Sequence, residues 1–178
     1  MTDRSPHIDW RWREFAGMTA AEVHAMLQLR ARVFVVEQQC VFLEVDGRDP
    51  DAFHLLGTVA RALDAQAPHD PGAGPSAAAL RAGDAHLAAY ARIFAPDVRY
   101  PGASSIGRVA THPALRRTGA GRALMREAIE ATLERWPDAP IRLEAQQYLE
   151  RFYESFGFRT IGAMYLEDDI PHVPMERG

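Results

Sequence analysis

The chain has 178 residues, a formal net charge of −4, 47% hydrophobic residues and a single cysteine, Cys40. That length suits one domain with a real core, and the negative charge argues against general affinity for nucleic acid or acidic membrane. One cysteine excludes an intrachain disulfide and fits a reducing cytoplasm, while a chain whose only non-histidine basic residues are arginines excludes lysine Schiff-base chemistry.

The run Ile8 to Arg13 alternates apolar and polar residues and predicts a first strand. Thr19-Ala20-Ala21-Glu22 is a capping-box pattern ahead of a helix carrying Val23, Met26, Leu27 and Ala31 on one face. Val33 to Val36 continues apolar before Glu37-Gln38-Gln39-Cys40 turns polar. Residues Glu44 to Asp51 read as an acidic loop, and a charge run of this kind is ordinarily a solvated face. Asp46 to Asp51 has a superficial likeness to a calcium loop, but Gly57 stands where the bidentate glutamate belongs, so no metal is expected.

Phe53 to Leu63 predicts a second strand with Gly57 as a possible bulge. Residues 64 to 84 are rich in Ala, Gly, Pro and Asp without periodicity, which predicts a mobile excursion too short to divide domains. Strands follow at His86 to Phe94 and Ser105 to Thr111. A helix runs from Gly119 to about Trp136 with Leu124, Ala128 and Ala131 on one face, ended by Pro137 and Pro140. Ile141 to Ala145 is a fifth strand, Leu149 to Phe156 a short helix stopped by Gly157, and Phe158 to Leu166 and His172 to Glu176 two final strands. The order predicts a single α/β (α+β) domain over 1–178, with helices on both faces of the sheet. No run approaches the roughly 20 apolar residues of a bilayer span, and Met1 to Pro6 lacks a signal-peptide core.

The most informative segment is Arg116-Arg117-Thr118-Gly119-Ala120-Gly121-Arg122, a glycine turn between a strand and a helix. Backbone N–H groups and the positive helix end converge there, glycine leaves the main chain bare, and arginines add charge. The alternatives at this point are a pyrophosphate seat or an ordinary strand–turn–helix with exposed arginines.

Arg116-x-x-Gly119-x-Gly121 resembles the acetyl-coenzyme A pyrophosphate loop of the GCN5-related N-acetyltransferase (GNAT) superfamily. Gln146, Leu149, Tyr153, Gly157 and Phe158 fall where that superfamily carries its late strand–helix–strand signature. Within it the chain is similar to the ElaA-like group, on the residues Val33 to Gln38, Asp46-Gly47, Phe152 to Phe158 and Ile170-Pro171-His172. The stretch before His86 looks longer than the family needs.

The resemblance implies a mixed, mostly antiparallel central sheet. It also implies direct acetyl transfer from acetyl-CoA to an amine of a small molecule or peptide. Val109, Ala110 and Thr111 would pair with the pantetheine arm, Arg116 to Arg122 would hold the diphosphate, and Gln146 and Tyr153 would complete the cofactor site. The family's central strands splay here, and a main-chain N–H polarises the thioester carbonyl. Tyr153 is by resemblance the general acid, protonated at neutral pH because a phenol pKa is about 10.

The base is poorly marked: Glu144, Glu37 and His172 are candidates, with Asp46 and His54 behind them, or a water chain. The acids Glu37, Glu44, Asp46 and Asp49 favour a cationic acceptor if they face the cleft. Cys40 has no His or Asp beside it and reads as structural. The final apolar strands leave a homodimer open. Rival readings are an acyl-homoserine lactone synthase-like enzyme, from Arg30 or Arg32 with Phe34, Asp46 and Asp49, and a non-catalytic acyl-CoA sensor.

Overall fold

A computed structural model describes residues 7–60 and 86–178. The expected excursion at 64–84 and the end of the expected second strand lie outside the described residues. The described residues form one eight-stranded sheet. Its strands are β1 (Asp9–Glu14), β2 (Phe53–Val59), β3 (His86–Phe94), β4 (Ser104–Thr111), β5 (Ile141–Gln146), β6 (Arg159–Thr160), β7 (Tyr165–Glu167) and β8 (Ile170–Arg177). The spatial order is β1-β2-β3-β4-β5-β8-β6, with β7 also paired to β8. Every pairing is antiparallel except β4 with β5.

Helix α1 (Ala20–Arg30) starts at the capping box the sequence announces. The Glu22 amide donates to Thr19 Oγ1 at 3.2 Å, and the Thr19 amide donates to Glu22 Oε2 at 2.9 Å. The helix widens into a π-helical stretch, Ala31–Glu37. Helix α2 (Ala120–Arg135) and the short α3 (Glu150–Glu154) follow.

Strand alternation sends neighbouring residues to opposite faces, which builds two cores. On one face Leu55, Ala89, Ala91 and Ile93 meet Leu124, Met125 and Ala128 of α2. On the other, Leu56 and Tyr90 meet Met26 and Leu29 of α1. The two helices therefore clamp β3 and β4 from opposite sides. Gly57 marks a register shift in β2, and a Cβ there would lie 2.3 Å from the Trp10 ring.

Two expectations change. The expected strand Phe158 to Leu166 is broken into β6 and β7. Pro174 of the facing β8 has no N–H to offer on that edge, although its carbonyl accepts from the Ile161 amide, so the ladder is interrupted there.

The acidic loop is also not a solvated face. Glu44 and Asp49 are buried, and with Asp46 they enclose three arginines from three elements. Arg30 of α1 contacts Glu44 and reaches Asp49 Oδ1 at 2.7 Å. Arg92 of β3 reaches Asp46 Oδ2 at 2.7 Å and Asp49 Oδ1 at 2.9 Å. Arg108 of β4 lies 3.0 Å from Glu44 Oε2, an ion contact without hydrogen-bond alignment. Burial alone would raise the Asp46 carboxyl, but hydrogen bonds from Arg92 and the Arg48 amide outweigh it and hold it below the usual carboxylate range. Three positive and three negative groups cancel, so these acids hold the loop to the sheet and are not free to attract a cationic acceptor.

Candidate active site at the strand splay

β4 and β5 run parallel but pair only at Ser104↔Ile141 and Ser105↔Arg142, and then part. A bulge accompanies the parting: the β3–β4 register slips by one residue between Tyr90↔Ala110 and Arg92↔Gly107. Arg108 sits in that slip with φ +50°, left-handed backbone that a side chain adopts at a cost. Its guanidinium is held by the loop acids and lies 4.6 Å from the Phe42 ring centroid.

The splay opens a cleft of about 140 Å³. Gly107, Arg108 and Val109 form one wall, and Leu143, Glu144 and Gln146 the other. Tyr153 and Leu149 close one end, while His172 and the acidic pair Glu167–Asp168 stand at the hairpin side. The loop after α1 contributes Phe34, Gln38, Cys40 and Phe42.

Beyond the cleft the chain enters the arginine–glycine turn. Arg117 has φ +60° and Gly119 φ +90°, so the turn folds back sharply into α2. No side chain caps this helix. The first intrahelical bond runs from the Ala123 amide to Gly119 O at 3.0 Å, leaving the amides of Ala120, Gly121 and Arg122 without helical partners. A Cβ on Gly121 would lie 3.9 Å from Thr111 Cγ2, so the turn abuts the end of β4 and packing does not demand glycine there.

Arg116 forms a bidentate pair with Glu37 at 2.6 Å. Arg122 reaches Ser155 Oγ at 3.0 Å and lies over the Phe152 and Phe156 rings. Arg117 is exposed. Thr118 Oγ1 donates to Leu115 O at 2.7 Å, which fixes the turn. Val109, Ala110 and Thr111 lie past the last β4–β5 pair, so their β5-facing edge has no strand.

Tyr153 is buried, and burial pushes its hydroxyl well above the ordinary phenol value. Among the described residues that hydroxyl has no hydrogen-bond partner. Glu144 alternates outward from the buried Leu143 and Ala145, which turns it into the cleft. Gln146 Nε2 donates to Gln38 Oε1 at 3.2 Å and joins the two walls.

His172 Nδ1 shares a 2.8 Å hydrogen bond with Ile170 O. Glu37 does not line the cleft; it stands beside the turn on Arg116. His54 is buried below the loop, between the Tyr90 hydroxyl and Asp49 O, where burial lowers its pKa. Cys40 lines the cleft, and burial pushes its thiol up. Among the described residues no three His, Cys, Asp or Glu side chains are placed to hold a metal ion, and no helix is long and apolar enough to cross a membrane.

Sequence reasoning missed Tyr100 and Tyr165, whose hydroxyls meet on Glu144, and the arginines that neutralise the acidic loop. No local pattern flags them, because each partner lies at least 14 residues away in the chain.

The sequence pattern of the acetyltransferase (GNAT) domain matches residues 78–177. Protein ElaA of Escherichia coli is 36% identical over 172 residues, covering 96% of each chain. The solved structure of E. coli ElaA superposes with a TM-score of 0.76 over 97% of this chain and all of that one, at 35% identity. An acyl-CoA N-acyltransferase from Pseudomonas aeruginosa gives 0.77 over 97% of this chain and all of that one, at 38% identity. The acyl-homoserine lactone synthase LasI reaches 0.67 over 96% of this chain and 89% of that one, at 14% identity, a likeness of fold alone. With its splayed strands, open helix terminus and full-length relatives, the chain belongs to the GNAT acyltransferase family, alongside ElaA.

Proposed function

We propose that the protein transfers the acetyl group of acetyl-CoA directly to an amine of a small molecule or peptide. One observation carries the reading: past its last β5 pair, β4 leads from the cleft at the splay to the turn that opens the uncapped α2, so a thioester at the splay and a diphosphate at the helix start would lie along one strand. The bare amides of Ala120 to Arg122, the positive helix end and the side chains of Arg116, Arg117 and Arg122 suit a diphosphate. The free β4 edge at Val109 to Thr111 suits an extended amide-bearing arm, added as a strand. Gln146 stands where that arm would enter.

In the proposed reaction the amine nitrogen bonds to the thioester carbon while main-chain N–H groups of β4 receive the developing oxyanion. The carbon–sulfur bond then breaks, and Tyr153 gives its proton to sulfur. Of the candidate bases, Glu144 lines the cleft, His172 lines it nearby, and Glu37 is engaged by Arg116; we favour Glu144.

Calorimetric titration with acetyl-CoA, followed by thiol release over an amine panel, tests the reading. Binding with amine-dependent thiol release is expected. Absence of binding by folded protein overturns it, and tight binding with no release across the panel supports a sensor instead.

A further inference from the structure

Glu144 is held in a way the proposed base role does not require. The Tyr100 hydroxyl donates to Oε1 at 2.7 Å and the Tyr165 hydroxyl donates to Oε2 at 2.8 Å. The two phenols come from different elements, the β3–β4 turn and the short strand β7. Each ring is itself fixed. Tyr100 lies between the guanidinium groups of Arg99 and Arg142, at 5.2 and 5.7 Å from its centroid. Tyr165 stacks on His172, with centroids 6.0 Å apart. Both phenols remain protonated donors. Burial and the bond to Glu144 push Tyr100 up to about 12, and the same two causes raise Tyr165.

The charge pattern around this group is specific. Arg92, Arg99 and Arg108 line the cleft; the loop acids already neutralise Arg92 and Arg108, while the Arg99 guanidinium lies over the Tyr100 ring. Arg142, next but one in β5, is engaged by Glu176 at 2.6 Å. Among the described residues no cation lies within ion-pair distance of Glu144, whose partners are neutral phenols. A carboxylate offers about four acceptor positions, and two are taken here. The other two belong to an immobilised anion in a cleft, beside the further negative charge of Glu167 and Asp168. A group with several N–H donors and a positive charge matches that arrangement; a hydroxyl or carboxylate does not.

We propose that Tyr100 and Tyr165 are positioning residues that hold Glu144 as a seat for the primary ammonium group of the acceptor. This rests on the acetyl-transfer reading above and defines its acceptor as a protonated primary amine. Across the reaction the ammonium loses two protons. One leaves through Glu144 to water, and the second replaces the proton that Tyr153 gives to sulfur. The carbon–nitrogen bond forms as the carbon–sulfur bond breaks.

The test compares n-butylammonium chloride with n-butanol, at matched ionic strength, by saturation-transfer NMR on the full chain with and without coenzyme A. The parent is expected to bind butylammonium at least fivefold more tightly than butanol. Tyr100→Phe and Tyr165→Phe keep the rings and remove only the hydroxyls, so both should fold. Each should weaken butylammonium three- to tenfold, and Glu144→Gln should erase the preference. With any amine that turns over, the two phenylalanine variants should raise the amine KM and leave the acetyl-CoA KM within twofold. Equal binding of butanol, absence of butylammonium binding, or phenylalanine variants that bind like the parent would overturn the proposal. Calorimetry with acetyl-CoA is read separately, so failure of the cofactor reading is distinguishable from failure of the ammonium seat.

Discussion

Replacing Tyr153 by Phe removes a single oxygen from the cleft and leaves the packing in place. The ring stays edge-on to Phe152 and Phe158, with centroids 5.2 and 6.1 Å away. Its hydroxyl has no partner among the described residues, so deletion leaves no orphaned donor or acceptor behind. The melting temperature should therefore stay within about two degrees of the parent. Catalysis should not be so tolerant. A thiol pKa near 8.5 lies below that of a phenol, so the proton crosses only as charge builds on the departing sulfur, and the gain comes from having the donor already in place. General acids typically contribute about 10²–10⁴-fold. A thiolate is a good leaving group, which puts the expected loss of kcat at roughly 10- to 100-fold. The assay is thiol release at saturating acetyl-CoA and amine, beside calorimetric affinity for acetyl-CoA, which should change less than about twofold. Turnover within twofold of the parent, with cofactor affinity intact, would remove Tyr153 from the mechanism.

Other substitutions probe the turn and the loop. Arg116→Ala should weaken coenzyme A binding and flatten its dependence on salt, because a charge-assisted phosphate contact is lost; affinity equal to the parent at low and high salt would refute the assignment. Glu37→Gln should do the opposite. It frees Arg116 from an exposed pair of the kind that contributes about 0.2–1 kcal/mol, so coenzyme A should bind up to about fivefold more tightly; weaker binding would mean Glu37 holds Arg116 in its working position. Asp49→Ala removes one of three counter-charges from the buried cluster, where breaking a pair costs about 3–5 kcal/mol and lowers the melting temperature by roughly ten degrees; a shift under two degrees would show that the cluster tolerates the imbalance. Alkaline pH should destabilise the fold. Tyr90 and Tyr153 are raised by burial, so the unfolded chain ionises first. Stability is complete below about pH 10 and falls as pH climbs from there toward the folded values. A denaturant midpoint that stays flat or rises between pH 9 and pH 11 would contradict that sign.

The fold was legible wherever one period dominated. The capping box at Thr19 and the alternation of β1 and β5 are local signals, and the structure keeps them. The turn at Arg116 to Arg122 was legible for the same reason, because glycine spacing and chain direction suffice to aim amides at one point. Legibility ended where the arrangement depends on distant partners. Glu44, Asp46 and Asp49 look solvated in sequence because their arginines come from α1, β3 and β4. Glu144 showed only an ambiguous strand parity, since nothing local announces that Tyr100 and Tyr165 will converge on it. The split of the late strand had a visible cause in Pro174, but reading it required the facing register.

The ionic clip has a consequence for which positions of the loop can vary. Along one loop, Glu44, Asp46 and Asp49 turn inward, while Val41, Leu43 and Val45 are 90%, 75% and 55% exposed. The inward positions are spoken for by the scaffold; the outward ones carry no structural duty. Variation on that rim can therefore proceed without unseating the root, much as interchangeable bits fit a fixed chuck. A library confined to the three outward positions should retain folding, read as melting temperatures within a few degrees of the parent.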